Sequence, residues 1–142
     1  MLINQTTVAG LFAVLLFLAS PALKAEIAVV VHPSNNVSLD EKSVRRIFLS
    51  KSKSFPNGDK VDVYDLPEGN PVRDVFRDKV LRKSESRLNA YWARLLFSSK
   101  AMPPVVLSDV EKVKSMIANN PHGIAYIDSA DVDQSVRVVL KK

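Results

Sequence analysis

The chain has 142 residues, with 20 Lys and Arg against 15 Asp and Glu for a formal charge of +5, and it contains no Cys. That excludes a disulfide framework, a zinc–thiolate site, a cysteine nucleophile and a lipid anchor on cysteine. With 46% hydrophobic and 25% charged residues it is an ordinary globular chain of one-domain length, neither disordered nor collagen-like.

After a polar start, Val8 to Ser20 forms an apolar run bounded by Pro21 and followed by small residues, which matches the core of an export signal. The run is too short to span a bilayer comfortably. Cleavage after Ala22, with Ser20 at minus three, and cleavage after Ala25 both fit, and the second is preferred. No Lys or Arg precedes the run, which keeps an uncleaved anchor as the alternative. Removing 25 of the 142 residues leaves 117, and losing Lys24 leaves 19 basic against 15 acidic residues, a net of +4. A domain spanning residues 26–142 buries about two-thirds of its unfolded surface, enough for one core. Export argues against a nucleic-acid ligand, and a free protein without a lipid-bearing Cys is expected in a periplasm.

Glu26 to Val31 reads as a buried strand that ends at the turn His32-Pro33-Ser34-Asn35-Asn36. Ser38 and Glu41 have capping-box spacing, so a helix is expected to start there, with Val44, Ile47 and Phe48 inward and Arg45 and Arg46 elsewhere. Ser50 to Lys60 is turn-rich, and Val61 to Tyr64 alternates as a second strand. Asn70-Pro71 supplies an N-cap and a first-turn proline for the next helix, with Val72, Val75, Phe76 and Val80 on its apolar side.

Ser84 begins a third helix in which Leu88, Tyr91, Trp92, Leu95 and Leu96 recur at helical spacing. This is the strongest periodic signal in the chain and marks the expected central packing helix. Val105 to Leu107 is a short apolar run, and Ser108 and Glu111 repeat the capping spacing before a fourth helix with Val110, Val113 and Ile117 inward. Ile124 to Ile127 and Val136 to Leu140 read as closing strands. The alternation predicts an α/β or α+β layer, helices packed on a small sheet, with ligands favoured where strand ends enter helices.

The loop Asp65 to Asn70 is such a place. The helix starting at Pro71 offers free amides and a partial positive charge, with Arg73 and Arg77 one turn apart nearby, whereas Glu68 and Asp74 oppose an anion there. His32 and His122 share a site only if their strands pair, and two His without a placed carboxylate make a poor metal signal, so no metal and no cofactor is expected. Ser34, Ser38, Ser84 and Ser108 read as turn or capping residues, and no G-x-S-x-G or H-E-x-x-H run exists, so no catalytic residues are expected. Lys79, Arg82, Lys83, Arg87 and Arg94 form a basic stretch around Tyr91 and Trp92; the aromatics fall on the apolar stripe, which leaves the charges as a solvated face or a docking patch for an acidic partner.

Four segments carry a family resemblance: Ala28 to Ser34 (AVVVHPS), Leu39 to Phe48 (LDEKSVRRIF), Asp65 to Gly69 (DLPEG) and Pro121 to Ile127 (PHGIAYI). In their order and spacing they resemble the small PstS-like proteins related to the substrate-binding component of phosphate ABC transporters. The resemblance covers nearly all of the mature chain. It implies an α/β fold, a single lobe of a type 2 periplasmic binding-protein fold with a small mixed sheet and helices packed on it. A full-length member has two lobes closing on a ligand, and this chain has residues for about one.

Aligning Phe76 with the family's helix Phe places Asn70, Pro71 and Val72 where phosphate-binding relatives carry Ser-Gly-Thr; only Gly69 keeps its character. Pro71 has no amide, Val72 has no hydroxyl, and the basic residue expected upstream falls near Asp65 or Leu66. Losing two or three charged hydrogen bonds at about 1.5–3 kcal/mol each lowers affinity by several powers of ten. The resemblance implies solute binding for an ABC transporter; with the residue reading it gives a non-enzymatic protein in which phosphate or another oxyanion is expected against Gly69, Asn70 and the following turn, with Arg73 as nearest cation and Arg77 as second. The alternative is an interaction module of the cell envelope that kept the fold and lost the anion site. Expected partners are a transporter permease, an envelope protein, or a second copy of the chain completing a cleft.

Overall fold

The computed structural model describes residues 25–142. The export segment expected over residues 1–25 lies outside the described residues except for Ala25, and so does the alternative cut after Ala22. No helix among the described residues is long and apolar enough to cross a membrane.

Among the described residues, five strands form one mixed sheet: β1 (Ile27–Val31), β2 (Asp62–Asp65), β3 (Val105–Val106), β4 (Gly123–Asp128) and β5 (Arg137–Lys141), in the order β3-β2-β4-β1-β5. β1 runs antiparallel to both β4 and β5, while β2 is parallel to β4 and to β3. All five residues of β1 are buried, which explains its unbroken apolar run: a strand covered on both faces has no solvent side to make polar. Burying each of these Val and Ile side chains contributes about 1.5–3 kcal/mol. A bulge between Val29 and Val30 in the β1–β5 pairing lets the edge strand bend. The chain has the α/β fold expected from its sequence, one small mixed sheet with helices packed on it.

Among the described residues, four α-helices accompany the sheet: α1 (Glu41–Phe48), α2 (Pro71–Phe76), α3 (Glu85–Phe97) and α4 (Val110–Asn119). α1 buries Val44, Ile47 and Phe48 as its spacing predicts. Its N-cap is Asp40, whose Oδ1 accepts from the Ser43 amide at 2.7 Å, rather than Ser38. Val37 and Leu39 are buried and alternate with exposed Asn36, Ser38 and Asp40, a two-residue period that keeps the backbone extended past Ser38 and delays the helix. In the same way Asp109, not Ser108, caps α4.

Two helices depart from their patterns. The segment expected as one helix from Pro71 to Val80 is α2 followed by a π-helical turn, Arg77–Leu81, that ends on Arg82 in the left-handed region at φ 54. Val72 and Val75 are only half-buried, while Phe76 and Val80 enter the core. α3 is not the central packing helix. Of its stripe, Leu88 and Trp92 are buried, Tyr91 and Leu95 are half-buried, and Leu96 is exposed. Periodicity establishes an amphipathic helix but not what covers it. The core is centred instead on β1 and β4, with Phe48, Phe76 and Tyr126 clustered between α1, α2 and β4.

Candidate functional site

β2 ends on Asp65, and the chain then turns sharply into α2. Leu66 is buried and pins the start of the turn, and the Asn70 amide donates to the Pro67 carbonyl at 3.1 Å, closing it. That closure places Gly69 at φ 87, a conformation that suits glycine. Asn70 caps the helix: its Oδ1 accepts from the amides of Val72 at 2.9 Å and Arg73 at 3.4 Å, and its carbonyl accepts from Asp74. Pro71 has no amide, so the first-turn donors of α2 are all engaged within the chain. The Gly69 amide and the Asn70 side-chain nitrogen take part in no hydrogen bond among the described residues.

Arg73 and Arg77 stand one turn apart and converge on one acceptor. Glu85 Oε2 accepts from Arg73 Nη1 at 2.6 Å and from Arg77 Nη1 at 2.7 Å. Arg73 is 9% exposed, and its Nε lies 3.5 Å from Asp65 Oδ2. Arg77 also reaches Asp74 at 2.9 Å and Asp78 at 3.3 Å and donates through Nε to the Lys83 carbonyl at 3.1 Å. The other Glu85 oxygen, Oε1, is buried without a hydrogen-bond partner among the described residues.

Two guanidiniums therefore face four carboxylates: Asp65, Asp74, Asp78 and Glu85. Burial opposes the charge on each arginine, but the hydrogen bonds and nearby carboxylates outweigh it and hold both above the ordinary arginine value. The Arg73 hydrogen bond holds the Glu85 carboxyl below its ordinary range against the opposing effect of burial. Asp65 connects this cluster to the core. Its carboxylate accepts from the Tyr126 hydroxyl and from the Leu66 amide, the latter at 2.8 Å, and burial pushes the Tyr126 phenol well above its usual value.

The structure thus brings the Arg73 and Arg77 guanidiniums together on Glu85, on the helix that Asn70 caps and Gly69 precedes. Glu68 is exposed on the same turn and enters no ion pair among the described residues. Sequence reasoning did not find Asp65, Glu85 or Tyr126 as members of the cluster. The reversal at Arg82 carries Glu85 back onto α2, and an arginine in the left-handed region gives little warning of a turn where glycine or asparagine is usual.

The histidines do come to one end of the sheet, since Val31 pairs with Ile124. Among the described residues, no group of three His, Asp or Glu side chains is placed to hold a metal ion. In the basic stretch, Trp92 is buried, the Tyr91 hydroxyl donates to the Leu49 carbonyl, and Lys83 and Arg94 lie 5.4 and 5.8 Å from the Tyr91 ring centre.

No protein-family model matches the chain, and neither does any curated protein. Solved structures do resemble it. A phosphate-bound protein from Clostridium perfringens, described as a phosphate ABC transporter substrate-binding protein, superposes with a TM-score of 0.64 at 24% identity over 81% of this chain and 45% of its own. An ABC-type phosphate transport receptor from Vibrio cholerae gives 0.63 at 19% identity, covering 81% of this chain and 46% of the receptor. PstS from Borrelia burgdorferi gives 0.57 at 13%, covering 81% and 47%. The likeness establishes the fold. The chain spans less than half the length of these binding and receptor proteins.

Proposed function

We propose that the chain is an exported, periplasmic, non-enzymatic lobe of the phosphate-binding-protein type, in which Arg73 and Arg77 form an oxyanion seat that Glu85 fills in the free protein. One observation carries this reading: two guanidinium Nη1 atoms converge on a single carboxylate oxygen at 2.6 and 2.7 Å. Paired guanidinium donors of this kind suit carboxylates and phosphates alike. This reading assigns the Gly69 amide and the Asn70 side-chain nitrogen, just before the same helix, as further donors.

An incoming anion competes with a tethered one. Glu85 is held at high effective concentration by the short connection from α2 to α3, and Asp65, Asp74 and Asp78 add repulsion. A single lobe therefore binds phosphate weakly. The neighbours' length supports a requirement for a second lobe, and a transporter permease is the partner this reading implies.

Calorimetry with phosphate and sulfate on the chain and on Glu85→Gln tests the proposal. Release of the competitor is expected to tighten phosphate binding about tenfold or more, in keeping with the loss of one charged hydrogen-bonding rival. No heat from either protein at millimolar ligand, with both folded by circular dichroism, overturns it and leaves the envelope interaction module as the function of the lobe.

A further inference from the structure

The exposed large apolar side chains among the described residues fall in one stretch between the end of α3 and β3: Leu96 at 47%, Phe97 at 95%, Met102 at 77%, and Val105 and Val106 at 59% each. Three of them, Leu96, Met102 and Val105, wall two adjoining grooves. Met102 sits where a 470 Å³ groove walled by Leu96 and Ala101 meets a 460 Å³ groove walled by Val61, Val63 and Val105. Among the described residues β3 is the sheet edge and pairs only with β2, so its outer side can accept another strand. Five large apolar side chains exposed within residues 96–106 are a cluster rather than scattered surface apolar residues.

Charge identifies the occupant. Lys53 and Lys100 line the groove beside Met102, and neither enters an ion pair among the described residues. Lys60 lines the adjoining wall. The one carboxylate in these walls, Asp62, is already engaged by Lys60 at 3.2 Å and by the Asn120 side chain at 3.0 Å. A second copy brings the same basic rim, in a chain whose formal charge is +5, and like charges would meet across the contact.

We infer that this face is a docking groove for an extended segment of an acidic protein partner, with its apolar side chains over Met102 and Val105, its carboxylates on Lys53 and Lys100, and its main chain along β3. The groove shares no residue with the Arg73–Arg77 seat, so the two proposals stand or fall separately.

Selection of a displayed random peptide library on the intact protein tests this directly. The expected outcome is enrichment of peptides that alternate apolar residues with Asp or Glu. A synthetic copy of the enriched peptide should bind about tenfold more weakly to Lys53→Glu/Lys100→Glu and to Met102→Ser, and more weakly in high salt. These side chains are exposed, and circular dichroism of each variant verifies the fold. Lack of enrichment over an unrelated control protein, enrichment of basic or uncharged peptides, or undiminished binding by both variants overturns the inference. So does a concentration-dependent dimer in sedimentation that Met102→Ser abolishes, because a second copy would then own the face.

Discussion

Phe76 stacks on Tyr126 with ring centroids 3.8 Å apart and planes 6° from parallel, and this contact couples the helix carrying Arg73 to the strand whose hydroxyl holds Asp65. The candidate seat is thus tied to the core on both sides: α2 leans on β4 through the rings, and β4 reaches β2 through the Tyr126–Asp65 hydrogen bond. Phe76→Ala removes a 1%-exposed ring and is expected to cost about 3–5 kcal/mol in urea denaturation. Tyr126→Phe keeps the stacking but leaves Asp65 short of a donor, at about 1–3 kcal/mol. Equal losses for the two variants contradict this division.

Arg73 separates structural from binding roles. Its guanidinium bridges Asp65 and Glu85, so Arg73→Met takes the cation from partly buried Asp65 and leaves Glu85 to Arg77 alone. The expected loss is about 3 kcal/mol by denaturant melts, comparable to breaking a buried ion pair from one side. Glu85→Gln should cost less, because without added phosphate an amide oxygen still accepts from both arginines.

Acid stability follows from the same group. The folded Glu85 carboxyl titrates below its unfolded value, so the stability it contributes is complete above the unfolded pKa of about 4.3. Below that pH the unfolded chain binds the proton first, and the contribution is lost as pH falls through the folded pKa. Denaturation midpoints measured from pH 7 downward should hold level and then fall below about pH 4.3, with a shallower fall for Glu85→Gln. Identical acid slopes for the two proteins contradict the assignment.

Two glycines should fail for different reasons. At Gly69 a Cβ meets nothing within 4 Å, so Gly69→Ala suffers only the left-handed backbone, about 1–2 kcal/mol. At Gly123 the added carbon would lie 3.0 Å from Ile117 Cδ1 and 3.1 Å from Tyr64 Cε2, and overpacking should cost about 1–3 kcal/mol. Thermal melts of Gly69→Asn and Gly123→Ser distinguish the two. Asn tolerates the left-handed region and should recover part of the loss at 69, while Ser at 123 should recover none.

The strands and helix stripes were legible because burial of β1, β4 and α1 leaves a direct hydrophobic record in Ile27–Val31, Gly123–Asp128 and Val44, Ile47 and Phe48. Arg73, Arg77, Gly69 and Asn70 could be named because a cap and a proline mark the start of α2. Glu85 could not, since its place depends on a π-helical turn and a left-handed Arg82 that no local pattern announces. The exposure of Leu96 was hidden for the opposite reason: its spacing fits a buried stripe, and only the sheet's extent decides where cover ends.

On the proposed reading, the oxygen now supplied by Glu85 marks a seat for an external oxyanion. A crystal structure of Glu85→Gln grown with phosphate tests it most directly. The expected result is a phosphate oxygen within hydrogen-bond distance of both Arg73 Nη1 and Arg77 Nη1, with the Gly69 amide turned toward it. A structure in which the substituted amide keeps both arginines and no anion approaches them contradicts it.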